Sequence, residues 1–336
     1  MNSKMTTPSK SILEISKLSI GYNKTPILKD LSFQAFAGEI LFVMGGNGSG
    51  KSTLLKTLSN LILPLSGSIS LNGKKLKDYS PLDFAKETSV LLTERPNLNS
   101  MKIKEVLALG RFPYTSFWGS MGSEDKNIIN EVVELLKIQP LINKSYDTLS
   151  DGQKQKVLLG RTLTQDTPLI ILDEPTSFLD IPRKTEFLEN LKFLAREKNK
   201  MIILSSHDWE FALKASHSLL FIGKNGKYKK GFTEDFYFKS DFKNFLKDEG
   251  FKVSNETSHD SDFQAGGLNI KLNIEDQFEK DLTLKAFEKR NSLLKKVDGS
   301  FIISKKKDHP FFIQGTNGPS IKINEISKII EHLSSF

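Results

Sequence analysis

Residues 45–53 read GGNGSGKST, and their spacing fits G-x-x-x-x-G-K-[ST] with Gly45, Gly50, Lys51 and Ser52 at the defining positions. That pattern suits phosphate chemistry. Glycines let the successive N–H groups of Gly46, Asn47, Gly48 and Ser49 curl around phosphate oxygens, while Lys51 reaches the β- and γ-phosphates and the Ser52 hydroxyl takes Mg²⁺. Thr53 completes the run. LIILDEPTS at 169–177 is four apolar residues ending in Asp173 and Glu174. A carboxylate at the end of a buried strand beside a phosphate loop is placed to hold Mg²⁺ through water, and the next carboxylate to polarise an attacking water. SSHDW at 205–209 follows another short apolar run, so His207 is a candidate to bond a γ-phosphate and the water base. TLSDGQKQK at 148–156 sets Ser150, Asp151 and Gly152 ahead of a helical run, which reads as a second anion site at a helix N-terminus. Taken singly, each stretch also has a plain reading: a glycine turn, solvated strand-end acids, a satisfied imidazole.

Such side chains need rigid supports. Residues 12–36 alternate apolar and polar and predict strands, and ILFVM at 40–44 predicts a short buried strand running into the glycine loop. A helix is expected over 52–60, which supplies the strand–loop–helix context that the phosphate pattern requires. Further strands are predicted at 68–72, 88–92, 169–172, 201–205 and 218–222, and helices at 103–110, 124–137, 152–164, 183–197 and 209–216. Buried strands alternating with helices argue for a mostly parallel sheet covered on both faces. SNETSHDSDFQAGG at 254–267 has the composition of a linker. Beyond it, a strand at 268–273, a helix near 282–291, strands at 300–305 and 310–314 and a last helix at 324–334 predict a small α+β module.

The 336 residues, 38% hydrophobic and 26% charged, suit a globular chain rather than a disordered one. The absence of Cys excludes disulfides and thiolate metal sites and fits a reducing compartment. No apolar run approaches the roughly 20 residues that span a bilayer, and MNSKMTTPSK lacks an apolar signal core, so a cytoplasmic location is expected. The net charge of +8 is scattered. It reads as a solvated basic surface or a contact with an anionic membrane face, and nucleic acid is not an expected partner.

The three strand-end motifs together with LSDGQ at 149–153 resemble the ATP-binding cassette (ABC) ATPases, over residues 12 to about 250. The resemblance implies an α/β fold, a P-loop NTPase ABC cassette with a mostly parallel sheet core, an antiparallel β subdomain and a helical subdomain. The implied cassette spans 10–250, with its helical subdomain at about 80–165. A linker at 251–267 and the C-terminal α+β module at 268–336 would follow. It implies ATP and Mg²⁺ as ligands and hydrolysis of ATP, with Glu174, His207 and Lys51 as catalytic residues. LSDGQ is similar to the family signature with Asp151 in place of a glycine. Two cassettes of this family pack head to tail, so Ser150, Gly152 and Gln153 of one copy would meet the γ-phosphate held by the other. The same resemblance assigns Tyr22 to adenine stacking, Asp180 in SFLD to the dimer interface, and His207 to the switch histidine. Gly46 stands where the family commonly has Pro. Glu94 in SVLLTERPN stands where it usually has Gln, and would join Ser52 and Asp173 as a Mg²⁺ ligand.

One set of motifs without a membrane span resembles a transporter subunit, peripheral on the cytoplasmic face of the inner (cell) membrane. Its partners would be a second copy, an integral permease and, indirectly, a periplasmic or surface substrate-binding protein. VLALGRFPYTSFWGSMGSEDK at 106–126 is similar to the stretch found in iron-chelate and cobalamin importers. Its Phe112, Tyr114, Phe117 and Trp118 either line a permease groove or pack internally. Ferric siderophore, haem or cobalamin is the implied cargo. Import of free Mn or Zn ions and a non-transport cassette that remodels a partner are the alternatives.

Overall fold

Asn23 and Lys24 both have positive φ, 48° and 63°, so a two-residue turn closes the hairpin of β1 (Ser11–Tyr22) and β2 (Thr25–Phe36), with Tyr22 opposite Thr25. The computed structural model that shows this describes residues 11–94, 96–115, 120–177, 179–223, 226–237, 242, 244, 262–265, 268–290, 294, 299–306, 310–315 and 319–334. β1 also pairs antiparallel with β4 (Ser66–Leu71), and with β5 (Lys74–Lys75) these strands form a sheet in the order β2-β1-β4-β5.

The second sheet runs β10-β9-β3-β8-β7-β6, from β3 (Ile40–Gly45), β6 (Thr88–Leu91), β7 (Leu169–Asp173), β8 (Met201–Ser205), β9 (Ser218–Ile222) and β10 (Tyr228–Phe232). The pairs β9–β3, β3–β8, β8–β7 and β7–β6 are all parallel. Every residue of β3, β7, β8 and β9 is buried, as the unbroken apolar runs of a doubly covered parallel sheet require. Leu54, Leu55 and Leu58 of α1 (Lys51–Leu58) share one buried cluster with Leu13, Ile15 and Leu18 of β1 and Leu41 and Val43 of β3, which joins the two sheets through one core.

Between β6 and β7 lie α3 (Ile103–Ala108), α4 (Ser123–Leu135) and α5 (Asp151–Thr164), with α2 (Pro81–Glu87) just before β6. The span expected to be a helical insertion therefore also contains a strand of the parallel sheet. The GR of GRFPY has a packing role here. A Cβ on Gly110 would sit 2.3 Å from the Arg161 carbonyl oxygen of α5. Arg111 is buried, donating from Nε to Asp125 Oδ1 at 2.8 Å and from NH1 to the Thr164 carbonyl at 3.0 Å. Downstream, α6 (Ile181–Arg196) and α7 (Trp209–Ala215) start on the side-chain caps Asp180 and Asp208. Among the described residues no helix is long and apolar enough to cross a membrane.

The chain divides into compact units at 230/231, not at the expected 250. The second unit takes in the short helix Thr233–Phe236, whose Glu234 carboxylate pairs with Lys289 and Arg290. Its sheet runs β11-β12-β13-β14-β15, from β11 (Asp262–Ala265), β12 (Leu268–Ile274), β13 (Gly299–Lys305), β14 (Phe311–Gly315) and β15 (Ile321–Ile323). β11 corrects the expected linker, because residues 262–265 pair antiparallel with β12; residues 251–261 lie outside the described ones. The helix Gln277–Lys289 connects β12 to its parallel neighbour β13, and the helix Ile326–Leu333 follows β15.

Candidate nucleotide site at the carboxyl ends of the parallel strands

Adjacent parallel strands bring their carboxyl ends together, and in open α/β sheets that edge is where ligands bind. Here β3, β8 and β7 are neighbours, and register sets Val43 opposite Ser205 and Ser205 opposite Asp173. The phosphate loop leaves β3 at Gly45 and enters α1 at Lys51. Gly48 and Gly50 have φ of 75° and 103°, values that only glycine adopts without strain. Lys51 is buried, and its Nζ donates to the carbonyls of Gly45 at 2.9 Å and Gly46 at 3.1 Å. Among the described residues the buried Ser49 hydroxyl has no hydrogen-bond partner, and the first turn of α1 carries no acid. An orphaned buried hydroxyl beside an unopposed helix N-terminus fits a phosphate group.

Asp173 is buried and held by three hydroxyls. Oδ1 accepts from Ser205 at 2.6 Å and Ser52 at 3.3 Å, and Oδ2 accepts from Thr93 at 3.1 Å. Ser205 Oγ in turn accepts from the Glu174 N–H at 2.9 Å. Glu174 has φ of 49°, a left-handed conformation that costs a non-glycine residue about 1–3 kcal/mol. It sits at the point where β7 turns away from the sheet. Its Oε1 lies 2.7 Å from His207 Nε2, and Ser177 Oγ donates to its carbonyl at 2.8 Å. Lys51, Ser52, Asp173, Glu174 and His207 thus converge through strand order alone, although more than 150 residues separate the first from the last.

Other expected residues lie apart from this network. Ser150 caps α5, and its side chain and that of Gln153 exchange bonds with each other's backbone N–H at 3.4 and 3.1 Å, a reciprocal cap; Gly152 is buried just inside the helix. Asp180 caps α6, accepting from the Arg183 N–H at 3.0 Å. Tyr22 is half exposed at the β1–β2 turn. Phe112 is 73% exposed, whereas the Tyr114 ring lies 4.0 Å from the Arg111 guanidinium; Phe117 and Trp118 lie outside the described residues.

Glu94 departs from the expectation that it stands with Ser52 and Asp173. Its carboxylate is exposed and bonds Lys56 Nζ of α1 at 2.8 Å, a contact that holds its pKa below the ordinary value. The residue before it, Thr93, makes the Asp173 contact instead. Thr93 and Ser205 are the site residues that sequence reasoning missed. Their signal was present, because each is the hydroxyl residue at the end of an apolar run, SVLLT and MIILS.

A parallel sheet with this loop, acid pair and histidine at one edge defines a nucleotide-binding P-loop cassette. The family model for ABC transporters matches residues 28–177. An uncharacterized ABC transporter ATP-binding protein of Methanocaldococcus jannaschii is 40% identical over 224 residues, 67% of this chain and 77% of that protein. The iron(3+)-hydroxamate import ATP-binding protein FhuC of Bacillus subtilis is 34% identical over 219 residues, 65% of this chain and 81% of that protein. A solved ATP-binding subunit of an ABC transporter superposes with a TM-score of 0.61 at 26% identity, covering 73% of this chain and 95% of that one. The chain belongs to the ABC transporter ATP-binding protein family and is a cassette ATPase.

Proposed function

We propose that this chain is the ATP-hydrolysing subunit of an importer for ferric siderophores or a related metal chelate, working as a head-to-tail pair on the cytoplasmic face of a separate membrane permease. The observation that carries the ATPase half is the Asp173 carboxylate, held by Ser52, Thr93 and Ser205 next to the Glu174–His207 pair. The likeness to the iron-hydroxamate import protein supports the cargo.

Ser52 and Asp173 offer the hard oxygen donors that suit Mg²⁺, and that ion would neutralise phosphate charge. Lys51 exchanges its two carbonyl partners for β- and γ-phosphate oxygens, at small cost because each bond is replaced in kind. The Glu174 carboxylate accepts the proton of the attacking water, and His207 Nε2 fixes its orientation. Ser150 and the amino end of α5 donate to the γ-phosphate bound by the opposite copy. Only the closed pair makes those contacts, so ATP shifts the population toward closure. Tyr22 stacks on the adenine, and Asp180 meets the second copy.

Uptake of labelled ferric siderophores, haem and cobalamin by cells carrying Glu174→Gln tests this reading. Collapse of one chelate with the others intact supports it and identifies the cargo. If no uptake changes although the purified wild type hydrolyses ATP and Glu174→Gln does not, the chelate assignment is wrong, and free-metal import or a non-transport role replaces it.

A further inference from the structure

Ser52 and Lys56 stand four residues apart on α1, one turn along the same face. Both reach the segment that leaves β6. Ser52 meets it through Asp173, which Thr93 also bonds at 3.1 Å, and Lys56 meets it directly through Glu94 at 2.8 Å. Thr93 and Glu94 are consecutive, so the two contacts form rungs of one short ladder between α1 and the loop.

An ion pair as exposed as this one, with side chains 27% and 81% accessible, adds little to stability. Its effect lies in where it puts charge. A carboxylate on this loop adds negative charge next to a site built for phosphate, which disfavours the anion unless a cation offsets it. Lys56 is that cation. With the Glu94 carboxylate on Lys56, the loop meets Asp173 through the neutral Thr93 hydroxyl.

We propose that Lys56 is a positioning residue for nucleotide hydrolysis that acts through Glu94, neutralising the loop carboxylate and holding the loop so that Thr93 keeps Asp173 in place. This rests on the nucleotide site proposed above. In it, Glu94 acts as the partner of Lys56.

The test is a rescue experiment in the full chain with two readouts, MgATP turnover and equilibrium binding of a fluorescent ADP analogue, the latter in Mg²⁺ and in EDTA. Lys56→Gln leaves Glu94 uncompensated and is expected to lower kcat/KM about tenfold and to weaken ADP binding with and without Mg²⁺. Removing the carboxylate as well, in Lys56→Gln/Glu94→Gln, should return both readouts to within about threefold of the wild type. Lys56→Arg should retain them. Thermal unfolding of all variants separates this from loss of fold, because a merely structural lysine would not be rescued by removing Glu94. The proposal is overturned if Lys56→Gln behaves as the wild type, or if the double variant is as impaired as Lys56→Gln alone. Wild-type protein that binds ADP without hydrolysing ATP would count against the hydrolysis reading, and the binding arm would still decide the role of Lys56.

Discussion

Asp173 and Glu234 are both buried carboxylates, and their neighbours differ in kind. Asp173, at the strand ends of the cassette, is held by three neutral hydroxyls. Glu234, in the C-terminal unit, is fully buried between two cations, with Oε1 2.5 Å from Lys289 Nζ and Oε2 3.3 Å from Arg290 NH2. Burial pushes the Glu234 carboxyl up, and the charges of Lys289 and Arg290 outweigh it and hold its pKa below the ordinary value. The Arg290 guanidinium also stacks 3.6 Å from the Phe232 ring. A carboxylate on hydroxyls can trade them for a ligand, since each neutral bond is worth only about 0.5–1.5 kcal/mol net. A carboxylate between buried cations cannot, because breaking such a pair costs about 3–5 kcal/mol. The first arrangement suits exchange during turnover, the second suits holding a fold.

Experiments that break one side of this contrast should leave the other intact. The largest effect is expected from Glu174→Gln, which removes the proton acceptor and should lower ATP turnover by about 10²–10⁴-fold with little change in the unfolding midpoint. A large fall in stability instead would show that the strand-end acids also hold the fold. Next, Glu234→Gln should destabilise the C-terminal unit by about 3–5 kcal/mol in urea titration, since the ion pairs that Lys289 and Arg290 make with this buried carboxylate are then broken. A midpoint equal to that of the wild type would remove the basis of the comparison.

The cassette's own buried pair asks whether region or pairing matters. Asp125 is held below its ordinary pKa chiefly by the hydrogen bond from Arg111, against burial. A depressed carboxylate contributes stability that is complete above its unfolded value of about 3.9 and is lost as pH falls through the lower folded value. The stability advantage of the wild type over Asp125→Asn should therefore be constant from neutral pH down to about pH 5 and shrink below about pH 4. An advantage that grew with acid would reverse the assigned sign. The smallest effect is expected from Thr93→Val. Losing one of three donors to Asp173 should lower turnover about tenfold, equivalent to about 1.4 kcal/mol, without moving the thermal midpoint. Unchanged turnover would mean that Ser52 and Ser205 suffice.

Much of this was legible in one dimension. GGNGSGKST, LIILDEP and the strand–loop–helix context are contiguous, and the chemistry they announce depends on local conformation: glycines that turn, apolar runs that bury, a helix that starts where the run ends. The parallel sheet followed from the same runs. The small C-terminal module was readable as α+β, but not its extent, because Glu234 joins it through residues more than fifty positions away.

What the sequence determined by itself was the set of reactive groups and the elements that carry them. Which groups meet was decided by tertiary structure. Thr93 and Ser205 reach Asp173 from 80 and 32 residues away because β6 and β8 flank β7 in register, and Glu94 meets Lys56 rather than Ser52 because of how the loop after β6 crosses α1. Arg111 reaches the Thr164 carbonyl of α5 because glycine at 110 lets its segment approach that helix closely. Periodicity and motif spacing encode short-range geometry. Strand order and register create the long-range contacts, and no single stretch of sequence contains them.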